Sequence, residues 1–424
     1  MKFFPAKVLL AATSVATLIS ATYPGDVVQY WIDQSSMFIN GTLGTLSTGL
    51  QTPTTCWCLA VTSASMYNAA VNSEDETLDF QQLAVSHAAH NTLTWIFQGA
   101  RLSPYIDQTL QTIQNQILGS NSSFDMDEAI LTGRSSALEV IESRSKDGLN
   151  DFAAYTYGPT DPGIYQLTLT GYGLPPDGPQ IPYVRLFSNS KPASAYLAPP
   201  HPSLDDPAYE DFLAYVKSTG FANSTTRTSD QTDIALFWRE SAPIKWNRFA
   251  NIMVGNSFAT EVQSAAKLRA QLNYAMFDAA VASWVSKFYY NSWRPETALH
   301  RTDIWLPSGH NLSQPDYTPL ITPTPIEQEY TSGHATVGGA GAAVLRGFNG
   351  GDVVNVTISS LVTQNPQHVS TRHFTNLSVA AQEISDSRVF GGIHFKFSTE
   401  TGMKIGKQVA LDTLSNFDAL WKKF

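Results

Sequence analysis

The chain has 424 residues, with 26 Lys and Arg against 36 Asp and Glu, which gives a formal net charge of −10. Phosphate backbones repel such a chain, so nucleic acid is not expected as a partner. Hydrophobic residues at 43% and charged residues at 15% exclude the composition of a disordered chain and point to a folded, enzyme-sized core.

The chain opens with Lys2 and Lys7 around an apolar stretch, Val8 to Ile19, that runs into Ser20 and Ala21. A membrane span needs about 20 apolar residues, so this reads as a signal peptide over 1–21 and a secreted or lumenal protein. No later segment is apolar enough to span a bilayer. Asn-X-Ser/Thr sequons at Asn40, Asn121, Asn223, Asn311, Asn355 and Asn376 suit glycosylation on that route. Cys56 and Cys58 are the only cysteines, too few for a disulfide framework or a usual zinc site, and read as buried thiols.

Apolar residues recurring every three or four positions predict helices over Thr54–Asn72, Gln81–Ile96, Tyr105–Leu118 and Asp125–Glu142. Ten of the 23 prolines then fall between Pro159 and Pro202. Proline at that density stops helices, so 149–206 is expected to be irregular, tied down by Tyr165, Leu167, Tyr183, Leu186 and Phe187. Helical patterning resumes at Pro207, with its longest run over Thr260–Lys287. Strand-like alternation shows only in scraps such as Tyr165–Thr170. The fold class is all-α, with residues 22–424 as a single domain. Ser65–Val71 is echoed by Ala275–Val281, small residues around one large aromatic, as a duplicated helical bundle would show.

Three segments carry the chemistry: Lys287 to Arg294-Pro295, Glu329-Tyr330-Thr331-Ser332-Gly333-His334, and Ser387-Arg388 to His394. Together they offer cations, two imidazoles, a hydroxyl and the N–H groups of a helix start before the small-residue run Ala335–Ala343, an inventory for gripping an oxyanion. A literal Pro-Ser-Gly-His string at Pro307–His310 is followed by Pro315, which interrupts a helix there, so His310 reads as a loop residue. The acidic run Asp75, Glu76, Asp79 resembles the acidic motif of ordinary terpene cyclases but sits in a polar stretch and reads as solvated.

The three segments resemble the signature of the superfamily that joins vanadium-dependent haloperoxidases and type 2 acid phosphatases: Lys-x6-Arg-Pro, Pro-Ser-Gly-His and Ser-Arg-x5-His, with Thr331 in place of proline. The likeness runs from about Thr54 to Leu411 and implies a haloperoxidase-like helical fold. It also implies roles. Lys287, Arg294 and Arg388 would neutralise the anion, and Ser332 and the Gly333 N–H would hydrogen-bond it. His334 would be the acid–base group, and His394 would bond vanadium or attack phosphorus.

Two departures bear on the reaction. Glu327 stands where the family places an aromatic or apolar residue on the halide side of the pocket, and Ser398 stands where the phosphatase pattern has an Asp, a role left to Glu400 or another carboxylate. The resemblance extends to a fungal branch of haloperoxidase-like sesquiterpene cyclases, and the leading expectation is ionisation of a prenyl diphosphate, farnesyl diphosphate to a humulene-like product, with Mg²⁺. Glu327 and Glu329 are its metal-ligand candidates by proximity alone, although Glu329 also suits a solvated surface site. The alternatives are a vanadate-dependent haloperoxidase, an acid or prenyl-diphosphate phosphatase, and a noncatalytic anion-binding protein. The enzymatic readings imply a small-molecule substrate, a phosphate or diphosphate ester for cyclase and phosphatase.

Overall fold

The computed structural model describes residues 25–43, 52–98, 102–119, 123–168, 176–187, 190–362 and 370–424. The expected signal peptide and the sequon at Asn121 lie outside them. Helix makes up 62% of the structure and strand 5%.

The helices are α1 (Val27–Leu43), α2 (Thr52–Asn72), α3 (Leu78–Ile96), α4 (Ser103–Leu118), α5 (Met126–Arg144), α6 (Pro207–Gly220), α7 (Ser229–Phe237), α8 (Ala242–Val254), α9 (Val262–Tyr290), α10 (Pro295–His300), α11 (Gly333–Asn349), α12 (Leu377–Phe390) and α13 (Lys396–Leu420). Boundaries follow local chemistry. Thr77 and Asp125 cap α3 and α5 with their side chains, and Thr228 and Gln231 form a capping box on α7.

Helix α9 is the common axle. It packs on α2 in the first half of the chain and on α11 and α13 in the second. The echoed segments lie on α2 and α9, two helices that pack on one another. Cys56 and Cys58 are buried free thiols in α2, and burial pushes the Cys58 thiol up to about 12, which leaves it inert.

Among its described residues the proline-rich stretch is irregular apart from two short 3₁₀ turns, Ile181–Tyr183 and Ala193–Tyr196. It is strapped along α9. The Tyr165 N–H donates to the Asn291 carbonyl at 2.8 Å, the Phe187 N–H to Asp278 Oδ1 at 2.8 Å, and the Ala198 N–H to Ser286 Oγ at 3.0 Å. Tyr165 and Phe187 are buried as expected, but Tyr183 is 81% exposed and anchors nothing. The described part of Tyr165–Thr170 is not a strand. The sheet is instead an antiparallel pair, β1 (Val353–Ser359) and β2 (Thr371–Asn376), with Val356 opposite Phe374, whose ring packs against Trp238 and Phe249.

Helices α11 and α13 approach so closely that their glycines have no room for a side chain. A Cβ on Gly406 would lie 1.8 Å from the Thr336 carbonyl oxygen, and one on Gly339 would lie 2.2 Å from that of Met403. This seam fixes the start of α11, and with it His334. Gly406→Ala and Gly339→Ala are expected to cost about 2–4 kcal/mol each, read as a lower denaturant midpoint. Gly351→Ala, with nothing within 4 Å, is expected to unfold like the parent.

Candidate functional site

The three segments converge. Lys287 sits in the last turn of α9, where the carbonyl end of the helix favours a cation. Arg294 stands in the extended link between α9 and α10, with Pro295 opening α10 rather than ending a helix. Ser332 is the N-cap of α11, its Oγ accepting from the Ala335 N–H at 3.4 Å, which leaves the hydroxyl proton and first-turn N–H groups such as that of Gly333 to other partners. Arg388 lies in the last turn of α12. His394 follows a tight turn in which Gly392 takes φ +78° and a Cβ would meet the Gly220 carbonyl at 2.3 Å. All of these residues are buried.

Arg294 organises the centre. Its Nη2 donates to Glu327 Oε1 at 2.9 Å, its Nε to the Glu327 carbonyl at 2.9 Å, and its Nη1 to the Ile393 carbonyl at 2.9 Å. The same Nη1 lies 2.9 Å from His394 Nε2. A guanidinium can only donate, so Nε2 accepts and the proton sits on Nδ1. Nδ1 faces Glu329 Oε1 at 2.8 Å, and that oxygen also accepts from the Phe395 N–H at 3.0 Å. Glu329 therefore fixes the tautomer that presents the His394 Nε2 lone pair to the pocket. It does from a different segment what an Asp at position 398 would do, and Ser398 instead donates its hydroxyl to the Glu329 carbonyl at 3.3 Å.

Lys287 Nζ donates to the Gln328 carbonyl, stands 3.9 Å from Glu327 Oε1 and lies 5.4 Å from the Trp284 ring centre. His334 Nε2 is 3.3 Å from the Glu240 carbonyl oxygen and so carries the proton. The Glu240 carboxylate behind it is gripped by Lys245 at 3.2 Å and Arg248 at 2.8 Å, a support that the sequence did not reveal. Arg388 is 1% exposed, yet its Nε and Nη1 find no partner among the described residues. Two unanswered guanidinium donors in a buried site are costly without an acceptor, and they are the clearest sign of an anion here.

Burial, then the neighbouring arginines, hold both imidazoles well below the ordinary histidine range, so both are neutral at neutral pH. Burial also lowers Lys287 and raises Glu329. Three cations against Glu327 and Glu329 leave the cluster one positive charge in excess.

Two expectations are corrected. Glu329 is fully buried and held by His394, not a solvated surface carboxylate, and Glu327 is taken up by Arg294 and Lys287, so neither is placed as a Mg²⁺ ligand. Among the described residues no group of three or more His, Cys, Asp or Glu is placed to hold a metal ion. Glu400 pairs with Lys396 at 3.8 Å on the surface, away from this role. His310 lies in an exposed loop beside Glu210, and Asp75 and Glu76 are exposed. Of the sequons, Asn223 and Asn355 are exposed, whereas Asn40, Asn311 and Asn376 are half-buried.

Residues 267–423 match the VCPO second helical-bundle domain, a span that contains all three anion segments. A vanadium chloroperoxidase of Curvularia inaequalis is 25% identical over 300 residues, 54% of this chain and 49% of that protein, so the match spans about half the length of this relative. Over residues 267–423 the chain resembles the haloperoxidase superfamily. A bacterial vanadium-dependent iodoperoxidase structure superposes with a TM-score of 0.75 at 21% identity, covering 94% of this chain and 98% of that one. A bacterial vanadium-dependent chloroperoxidase gives 0.69 at 16% identity over 89% and 94%. These two likenesses concern the fold.

Arg388→Ala is expected to weaken binding of orthovanadate or phosphate roughly 30-fold or more, read by calorimetry. His310→Ala should leave that affinity unchanged. The reverse pattern would move the pocket to the Pro307–His310 loop.

Proposed function

We propose that this protein is a vanadate-dependent haloperoxidase, turning hydrogen peroxide, halide and a proton into hypohalous acid and water. The observation that carries the reading is the pair of unanswered Arg388 donors in a buried site where His394 keeps an unprotonated Nε2, covered by Arg294 Nη1 at 2.9 Å. The residues fit vanadate: Lys287, Arg294 and Arg388 for its oxygens, Ser332 and the Gly333 N–H for hydrogen bonds, and His394 Nε2 for the metal. Bound vanadate supplies the Lewis acidity that activates peroxide towards halide. The protein neutralises the oxygens, keeps Nδ1–H of His394 on Glu329, and sets His334 beside the pocket as the group that moves a proton.

The cyclase expectation gains little support. A prenyl diphosphate needs carboxylates for Mg²⁺, and here Glu327 is paired with Arg294 and Lys287 and Glu329 with His394. Phosphatase chemistry shares the anion pocket and is the second reading, supported by the Glu329-held His394 as nucleophile. The N-terminal apolar stretch and the exposed sequons Asn223 and Asn355 favour the secretory route.

The test is reconstitution with orthovanadate. Iodide, the easiest halide to oxidise, should react with peroxide fastest and chloride slowest, and the Glu327 carboxylate opposes the approach of each. Farnesyl diphosphate with Mg²⁺ should give no cyclic hydrocarbon. Vanadate that binds without any halide oxidation, together with phosphate release from a phosphomonoester, would replace this reading with the phosphatase.

A further inference from the structure

The carboxylate of Glu327 stands among the cations that the anion would take. One oxygen is 2.9 Å from Arg294 Nη2 and 3.9 Å from Lys287 Nζ. The other, Oε2, is buried and without a hydrogen-bond partner among the described residues. Its main chain has a bond of its own to the same guanidinium, the Glu327 carbonyl accepting from Arg294 Nε at 2.9 Å. The side chain is thus secured at one oxygen only and can leave without its backbone moving. Arg294 meanwhile covers the other reactive atom, with Nη1 lying 2.9 Å from His394 Nε2. The guanidinium that an oxyanion needs is engaged by a resident anion on one side and by the nucleophilic nitrogen on the other.

We infer that Glu327 is a tethered competitor, whose carboxylate an incoming oxyanion must displace from Arg294 before it can reach Lys287, Arg388 and His394. This rests on the oxyanion-pocket reading above and gives Glu327 the role of an affinity threshold. Displacing the carboxylate costs the same for every anion and leaves the ratios of their affinities unchanged. The cost takes weak binders such as nitrate or a halide below useful occupancy, while an anion that brings several charges or a bond to His394 still fills the site. A pocket with one net positive charge is in this way kept from filling with the commonest small anions of its surroundings. An aromatic residue at this position leaves the cations open to any of them.

The experiment is titration of anion-stripped protein, wild type and Glu327→Gln, with orthovanadate, phosphate and nitrate, followed by calorimetry at one pH and ionic strength. Gln keeps the shape and removes the charge. The variant should bind each anion roughly 10- to 100-fold more tightly, and nitrate, too weak to register on the wild type, should become measurable. Equal or weaker binding by Glu327→Gln, with orthovanadate still held by the wild type, would overturn the inference and leave the pocket reading standing. If neither protein binds orthovanadate or phosphate, the pocket reading falls first and takes the inference with it. A crystal structure of the wild type with orthovanadate supplies a check that needs no variant. The Glu327 carboxylate should be out of hydrogen-bond reach of Arg294, and finding it still paired there beside the bound anion would also overturn the inference.

Discussion

Burying Lys287, Arg294 and Arg388 side by side is the constraint to which the rest of the structure answers. Each charge taken out of water costs several kcal/mol unless it meets opposite charge or well-placed acceptors, and three together repel one another. The chain meets this with the segment from Thr324 to Ser332, whose carbonyls at Glu327 and Gln328 and carboxylate at Glu327 face Arg294 and Lys287. That segment can lie there because α11 begins immediately after it and is clamped to α13 by glycines with no space for a methyl group. It is also tied to the α9–α10 link, where the Glu329 N–H donates to the Ser292 carbonyl at 3.0 Å. The site is held by α9, α11 and α13, and α9 packs in turn on α2.

Much of this was legible in the sequence. Helical patterning placed α2 to α5 and α9 within a few residues, because amphipathic helices such as α4 write a 3.6-residue signal and buried ones such as α2 and α9 write long runs of apolar and small residues unbroken by proline or glycine. Proline density marked the irregular excursion. The β1–β2 hairpin went unread although Val353 to Ile358 is rich in β-branched residues, since a short, largely exposed pair lying between two strong helices leaves few inward positions to form a pattern. The anion-binding residues were legible because their order and spacing are unusual together, while each one alone has an ordinary structural explanation.

The carboxylates were not legible, for a physical reason. A charged side chain does not announce its partner, and the choice among a metal, water and a guanidinium depends on which groups the fold brings within about 4 Å. Glu327 and Glu329 are two residues apart, yet one meets Arg294 and the other His394. Residues two apart in extended backbone share a face, but this segment bends at Ile326–Glu327 and again at Glu329–Tyr330, so one carboxylate turns to the cations and the other to the imidazole. Sequence proximity to the anion pocket suggested that both were metal ligands, and geometry separates them. The support of His394 by a carboxylate survives without the Asp expected at position 398, because an interaction needs a group at a point in space and not at a place in a motif.

The same reasoning bears on what distinguishes reactions within one fold. Three cations and a histidine serve oxyanions of vanadium and phosphorus alike, so the cations do not choose the chemistry. The choice falls to the groups that set the residual charge and the space around them. In this chain Tyr209, Phe395 and Phe397 pack on one another next to Glu329, which keeps the carboxylate that orients His394 away from water. The carboxylate at position 327 reduces the positive charge felt by anything entering from its side. That acts against a small anion held loosely. On the proposed reading it leaves the advantage to a highly charged oxyanion that can also form a bond to His394 Nε2, which is the property that vanadate and a transferring phosphoryl group share.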